Sequence, residues 1–144
     1  MLPSSSAPQL LRTDYRPDLG ILVGRWSYQP EPAALPAVYE QLTADALACG
    51  CRYWLQDIRS RTLNDPAITQ WLLTEYFPQM GPRLGGRLAV AYLTAPALLH
   101  ALTTSPGYRP PSHYDGQPFA LAFFGDEGEA IRWLQQEQRR HTPA

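Results

Sequence analysis

The 144-residue chain contains no lysine, and all twelve of its cationic side chains are arginine. Schiff-base chemistry, pyridoxal phosphate anchoring and a Gly-Lys-Ser/Thr phosphate loop each need a lysine amine, so those classes are excluded. Charge of one sign is also lacking: thirteen carboxylates against twelve cations leave a net charge of −1. That balance provides no electrostatic footprint for nucleic acid or an anionic membrane surface, and no nucleic-acid partner is expected. No apolar run approaches the roughly 18 residues that span a bilayer, so no transmembrane segment is expected. Residues 1–9 are rich in Pro and Ser and have neither the basic start nor the apolar core of a secretory signal, which points to a cytoplasmic location. Cysteine is down to two, Cys49 and Cys51, on either side of Gly50. A closed zinc site wants four ligands and this spacing is too tight for an easy bridge, so the pair reads as small residues at a helix-to-strand corner. No metal or other cofactor is expected.

What is present is the alternation of short apolar strands with amphipathic helices. The length suits one domain with one core, expected over residues 10–140 behind a loosely ordered segment 1–9. Leu11, Thr13 and Tyr15 alternate as in a strand, Arg16-Pro17-Asp18-Leu19-Gly20 supplies a turn, and residues 21–27 return, which makes a hairpin. Leu35, Val38, Tyr39, Leu42, Ala46 and Cys49 fall at helical spacing, and Gly50 sits where a left-handed cap belongs. Residues 52–57 form the next strand. Asn64 and Asp65 before Pro66 signal a helix start, with Ile68, Trp71, Leu72, Tyr76 and Phe77 on one face; Pro78 is expected to kink or end that helix, and Gly81-Pro82 and Gly85-Gly86 to break what remains.

A strand at 87–94, a short helix at 96–104 and a long loop at 105–117 follow. The chain then closes with a strand at 118–124 and a helix that Asp126 caps, with Glu129 three residues on as in a capping box. The fold class is thus α/β, a single domain in the order β-β-α-β-α-β-α-β-α. It should hold a mixed, mostly parallel five-stranded sheet with an N-terminal β-hairpin, about four helices and the antiparallel strand at an edge.

Over residues 11–136 the element order, YWLQDIR at 53–59, AYLTAP at 91–96 and FFGDEGEAIRWL at 123–134 resemble a STAS-type domain. This is the fold of anti-sigma-factor antagonists and sulfate-transporter tails, here in the manner of the small stand-alone bacterial members; the lipid-carrier fold CRAL-TRIO shares the general architecture. The resemblance implies a non-enzymatic regulatory or binding domain that engages a protein partner or a small ligand, with a homodimer as one arrangement. Antagonist members carry a phosphorylatable Ser or Thr just after an Asp at the start of the second helix. Here Pro66 follows Asp65, so that switch is not carried over; Ser60 and Thr62 are the nearby hydroxyls open to modification.

In open α/β sheets ligands lie outside the carboxyl ends of the strands, which selects residues 57–62, 94–96 and 125–127. Asp57, Arg59, Ser60 and Arg61 are the leading candidates, with two planar guanidinium donors for a carboxylate or phosphate; the plainer alternative is a locally paired Asp57 beside solvated arginines. Thr94 joins them by position. Tyr108, Arg109, His113 and Tyr114 make the 105–117 loop a candidate lid over a small apolar or anionic molecule, or else a surface loop pinned by packed tyrosines. His113 with Ser112 and Asp115 also admits a small hydrolase, although no Gly-x-Ser-x-Gly elbow presents a nucleophile. His100 and His141 lack metal-like spacing. The strands at 87–94 and 118–124 each set a bulky face against an alanine face, and the alanine face either lets a helix approach closely or leaves room for a ligand. The four tryptophans are expected in the core or at its edge, an exposed one marking a partner surface.

Overall fold

The hairpin that opens the chain pairs β1 (Leu11–Arg16) antiparallel to β2 (Ile21–Trp26). Its turn closes as the sequence predicts: the Gly20 N–H donates to Arg16 O at 2.8 Å, and Gly20 takes the left-handed φ of 68° that glycine tolerates. The computed structural model describes residues 10–62, 66–106 and 108–140. The expected cap at Asn64 and Asp65, the loose segment 1–9 and His141 lie outside the described residues.

Helix α1 (Leu35–Cys49) buries Leu35, Tyr39, Leu42 and Ala46 on one stripe and ends at Gly50, whose φ of 64° is left-handed and whose N–H donates to Ala46 O. Strand β3 (Tyr53–Asp57) follows. Helix α2 occupies 66–83: of the kink or end expected at Pro78 the end does not occur, and the helix also runs through Gly81-Pro82, where a break was expected, stopping at Arg83 before Gly85-Gly86. Its segments Pro66–Trp71 and Phe77–Arg83 are joined by a π turn over Leu72–Tyr76, in which the Phe77 N–H reaches back to Leu72 O. Proline breaks an α-helix because it lacks an N–H and its ring strikes the carbonyl four residues earlier; a widened turn just before Pro78 relieves that crowding. Strand β4 (Leu88–Leu93), the short helix α3 (Pro96–Thr103), β5 (Phe119–Phe124) and α4 (Glu127–Arg140) complete the order. Asp126 caps α4 by accepting the Glu129 N–H at 3.0 Å, and among the described residues no reciprocal bond to the Glu129 carboxylate completes a capping box.

The sheet is mixed and five-stranded, in the order β1-β2-β3-β4-β5, with β2 to β5 parallel and β1 antiparallel at one edge. Each parallel step moves to the adjacent strand in the same direction, so right-handed crossovers put α1, α2 and α3 on one face. The other face receives α4. Register confirms the division of labour expected of the alanine face: Ala89, Ala91, Ile21 and Leu55 meet Ala130 and Leu134 of α4 in one cluster. Small side chains there let α4 lie close to the sheet. Leu22, Trp54, Leu88, Val90, Tyr92 and Leu121 point the other way into the larger core with α1 and α2. Trp26 and Trp54 are buried and Trp71 and Trp133 half-buried. Cys51 is buried with a free thiol that donates to Tyr53 O, and burial raises it above the ordinary thiol range. No helix among the described residues is long and apolar enough to cross a membrane.

Candidate functional site

Arg59 and Arg61, two apart in the sequence, do not converge. The chain turns after β3, with the Arg61 N–H donating to Ile58 O at 2.9 Å, and the two side chains leave on opposite faces. On the α4 side Asp57 accepts from the Arg59 backbone N–H, Nε and Nη2 and from Arg25 Nη1, while Arg25 also reaches Glu127. Burial alone would raise the Asp57 carboxyl; the Arg59 bonds, side chain and backbone, and then Arg25 outweigh it and hold it below the usual carboxylate range. This is a closed ion-pair cluster, which matches the plainer alternative for Asp57 and Arg59 but not for Arg61, which is buried and not solvated. Ser60 and Thr62 are exposed, and the Thr62 N–H donates to Gln29 Oε1.

A pH dependence follows from Asp57. A carboxyl whose folded pKa is depressed contributes stability that is present above its unfolded value, about 4, and lost as pH falls through the folded one. Asp57→Asn is expected to lower the urea midpoint at pH 7, with the gap to wild type closing toward pH 3. A gap that stays constant over that range would show that the charge of Asp57 contributes nothing.

Arg61 goes to the helix-covered face. Only 5% exposed, its guanidinium carbon lies 4.4 Å from the centre of a Trp26 ring, a cation–π contact. There it borders a cavity of about 380 Å3 between α2 and α3. Tyr92, Leu121 and Phe123 of β4 and β5 form the floor, Leu72, Leu73 and Phe77 of the π-turned helix one wall, and Leu98 and Leu102 of α3 the other. Tyr108, Arg109 and Tyr114 of the long loop form the roof. The opening exists because α3 is only eight residues long and buries none of them, so the sheet is incompletely covered at that end. The cavity thus lies on the bulky face of β4 and β5; the alanine face, which the sequence left open to a ligand, is filled by α4.

The polar end of the cavity holds Arg61 and the Tyr92 hydroxyl, with Tyr39 behind. Burial pushes both phenols up, Tyr92 far above its usual value, while the charge of Arg61 pulls each the other way. Both remain neutral donors at physiological pH. The roof is tethered unequally. Tyr114 is buried, packs its ring 5.5 Å from Phe119, and its carbonyl accepts from Arg87 Nη2 at 2.7 Å. Tyr108 is half-buried, and Arg109 is exposed; among the described residues its Nη1 alone is engaged, on the carbonyls of Pro106 and Tyr108.

Thr94 is buried with its hydroxyl 3.5 Å from Phe124 O and does not border the cavity. His113 is exposed, its ring set edge-on to Tyr114, while Asp115 pairs with Arg140 at 3.4 Å; among the described residues no bond joins His113 to the side chains of Ser112 or Asp115. The hydrolase constellation is not assembled. Sequence reasoning missed Tyr92 and the wall residues Phe77, Leu98 and Leu102, which carry no signal beyond that of a core position.

A broader groove of about 570 Å3 lies between α1 and α2, over Tyr39, Trp71 and Tyr76. These three rings sit 5.0 to 5.7 Å apart and fill the space between one another. No protein-family model matches the chain, and no curated protein matches it.

Proposed function

We propose that the chain is a non-enzymatic, STAS-like binding domain that carries a small molecule in the cavity between α2 and α3, with the 105–117 loop as its lid. The observation that supports this reading is the cavity itself: about 380 Å3, lined mainly by apolar and aromatic side chains with Arg61 and Tyr92 among them, within the range of ligand pockets. The tethering of the lid agrees with it. The end near Tyr114 is pinned to the body of the domain, whereas α3 and the Tyr108–Arg109 stretch bury little and can open at small cost.

Native mass spectrometry of the protein purified from its own host tests the reading. A retained small mass is expected on the wild-type chain, absent after denaturation and absent from Leu102→Trp, which fills the cavity. A mass equal to the bare chain for both proteins, with added ligand candidates giving none, would overturn it. A protein-partner role has one observation in its favour, Leu47 standing 40% exposed beside the α1–α2 groove. A dimer or a mixed complex in the same spectra would favour that role instead.

A further inference from the structure

Resting on that reading, we propose that the ligand is a compact aromatic carboxylate, its ring among the apolar walls and its carboxylate between Arg61 and Tyr92 below and Arg109 above. Three observations point to this class. The first is size: about 380 Å3 lies near the lower bound of roughly 300 Å3 for pockets that bury drug-sized ligands, which suits a ring system and not a long acyl chain.

The second is the surface the ligand would meet. Phe77 and Tyr114 each contact Phe119, at 5.7 and 5.5 Å between ring centres, and Tyr92 stacks on Phe123 at 5.3 Å with an interplanar angle of 15°. Four of these five rings, all but Phe119, border the cavity. An incoming ring joins such a cluster through offset or edge-to-face contacts that a saturated chain does not make.

The third is charge. The described residues bordering the cavity include two arginines and no carboxylate. Arg109 is the available one: it forms no ion pair among the described residues and leaves Nε and Nη2 for a ligand, a fork that matches the two oxygens of a carboxylate. Tyr92, held neutral, adds a donor at the buried end. Binding of an anion would therefore draw Arg109, and the loosely held half of the lid with it, over the cavity mouth.

Isothermal titration of the full chain with naphthalene-2-carboxylate and with 2-naphthamide, which has the same ring and no charge, tests the inference. The carboxylate should bind at least about tenfold more tightly, the advantage of a charge-assisted bond over a neutral one, and Arg109→Gln should bring the ratio toward one. Tyr92→Phe, a change that keeps the buried ring, should also narrow it. Equal affinities that are both abolished by Leu102→Trp would overturn the carboxylate while leaving the cavity reading standing. Affinities that Leu102→Trp does not change, or no binding of either probe, would overturn both.

Discussion

Arg87→Ala is expected to lower the unfolding free energy by about 3 kcal/mol, toward the lower end of the range for removing one member of a buried ion pair. The Arg87 side chain is 12% exposed and that of Glu137, opposite it on α4, 3%. Arg87 Nη1 donates to Glu137 Oε1 at 2.6 Å, Nη2 to Tyr114 O at 2.7 Å and Nε to Gln117 O at 3.1 Å. Alanine would take the donor from two loop carbonyls at once and leave Glu137 to Arg140, whose side chain is 54% exposed and screened by solvent. That remaining partner is why the lower part of the range applies. Glu137→Gln keeps an oxygen for Arg87 to donate to and should cost only about 1 kcal/mol. Urea unfolding of the two variants gives the comparison, and amide exchange at residues 115–117 should quicken in Arg87→Ala. Equal losses in the two variants, or a loss below about 1 kcal/mol for Arg87→Ala, would mean that this side chain does not hold the loop.

Two of these bonds fix one end of the proposed lid. Besides Glu137 on α4, Arg87 grips the loop at Tyr114 and Gln117, just before β5 and beside the helix that packs on the alanine face. Among the described residues the stretch at 108–109 is held by the Tyr108 N–H on Ser105 O and by Arg109 on the carbonyls of Pro106 and Tyr108, all within the loop itself, and α3 beside it contributes no buried residue. On the reading proposed above, a loop held most firmly at its C-terminal end would move as a flap, with Arg109 on the moving part.

The parts of this fold legible in the sequence are those that depend on a residue and its immediate neighbours. Gly20 and Gly50 adopt the left-handed conformation that a hairpin turn and a helix end require, and Asp126 caps α4 through its own side chain. The alternation of bulky and small residues in β4 and β5 sorted the two faces correctly because side-chain direction in a strand has a period of two. Pro78 did not say whether the helix would end or continue, since the remedy for its clash is a π turn over Leu72–Tyr76 that no residue in that stretch announces. The site was less legible still. The rule that ligands lie at strand carboxyl ends depends on a point where strand order reverses, and in a sheet ordered β1 to β5 there is none. Asp57 and Thr94 therefore end in local bonds, and the cavity opens where a short helix undercovers the sheet. Of the candidate residues, Arg61, Tyr108, Arg109 and Tyr114 border it, and Asp57, Arg59, Ser60, Thr94 and His113 do not. Arg61 reaches it because the turn after β3 swings that side chain through the plane of the sheet, which spacing alone does not encode.

Gly81→Ala carries the other large expected effect, a loss of about 2 to 3 kcal/mol, and its sign is the informative part. In an exposed helix, replacing glycine by alanine stabilises by roughly 0.5–1 kcal/mol. Gly81 is buried in the last turn of α2, where a Cβ would stand 2.7 Å from Gly86 O and 2.9 Å from Pro118 O. Both are backbone atoms and cannot swing aside as a side-chain tip would. Pro118 O also accepts the Leu88 N–H at 3.1 Å, so displacing it loosens the first bond between β4 and the segment entering β5, and Gly86 in turn donates its N–H to Gly81 O. Overpacking of this kind outweighs the helix preference. Gly50→Ala separates the two ways a glycine can be required: nothing lies within 4 Å of its Cβ, yet its φ of 64° is left-handed, so alanine there should cost only about 1 kcal/mol, from backbone strain alone. Thermal or urea unfolding should therefore rank Gly81→Ala as clearly the worse of the two. A neutral or stabilising Gly81→Ala would show that α2 can draw back from β5. Because Phe77 lies one turn earlier on that helix and borders the cavity, its wall would then be adjustable and the volume available to a ligand no longer fixed by the fold.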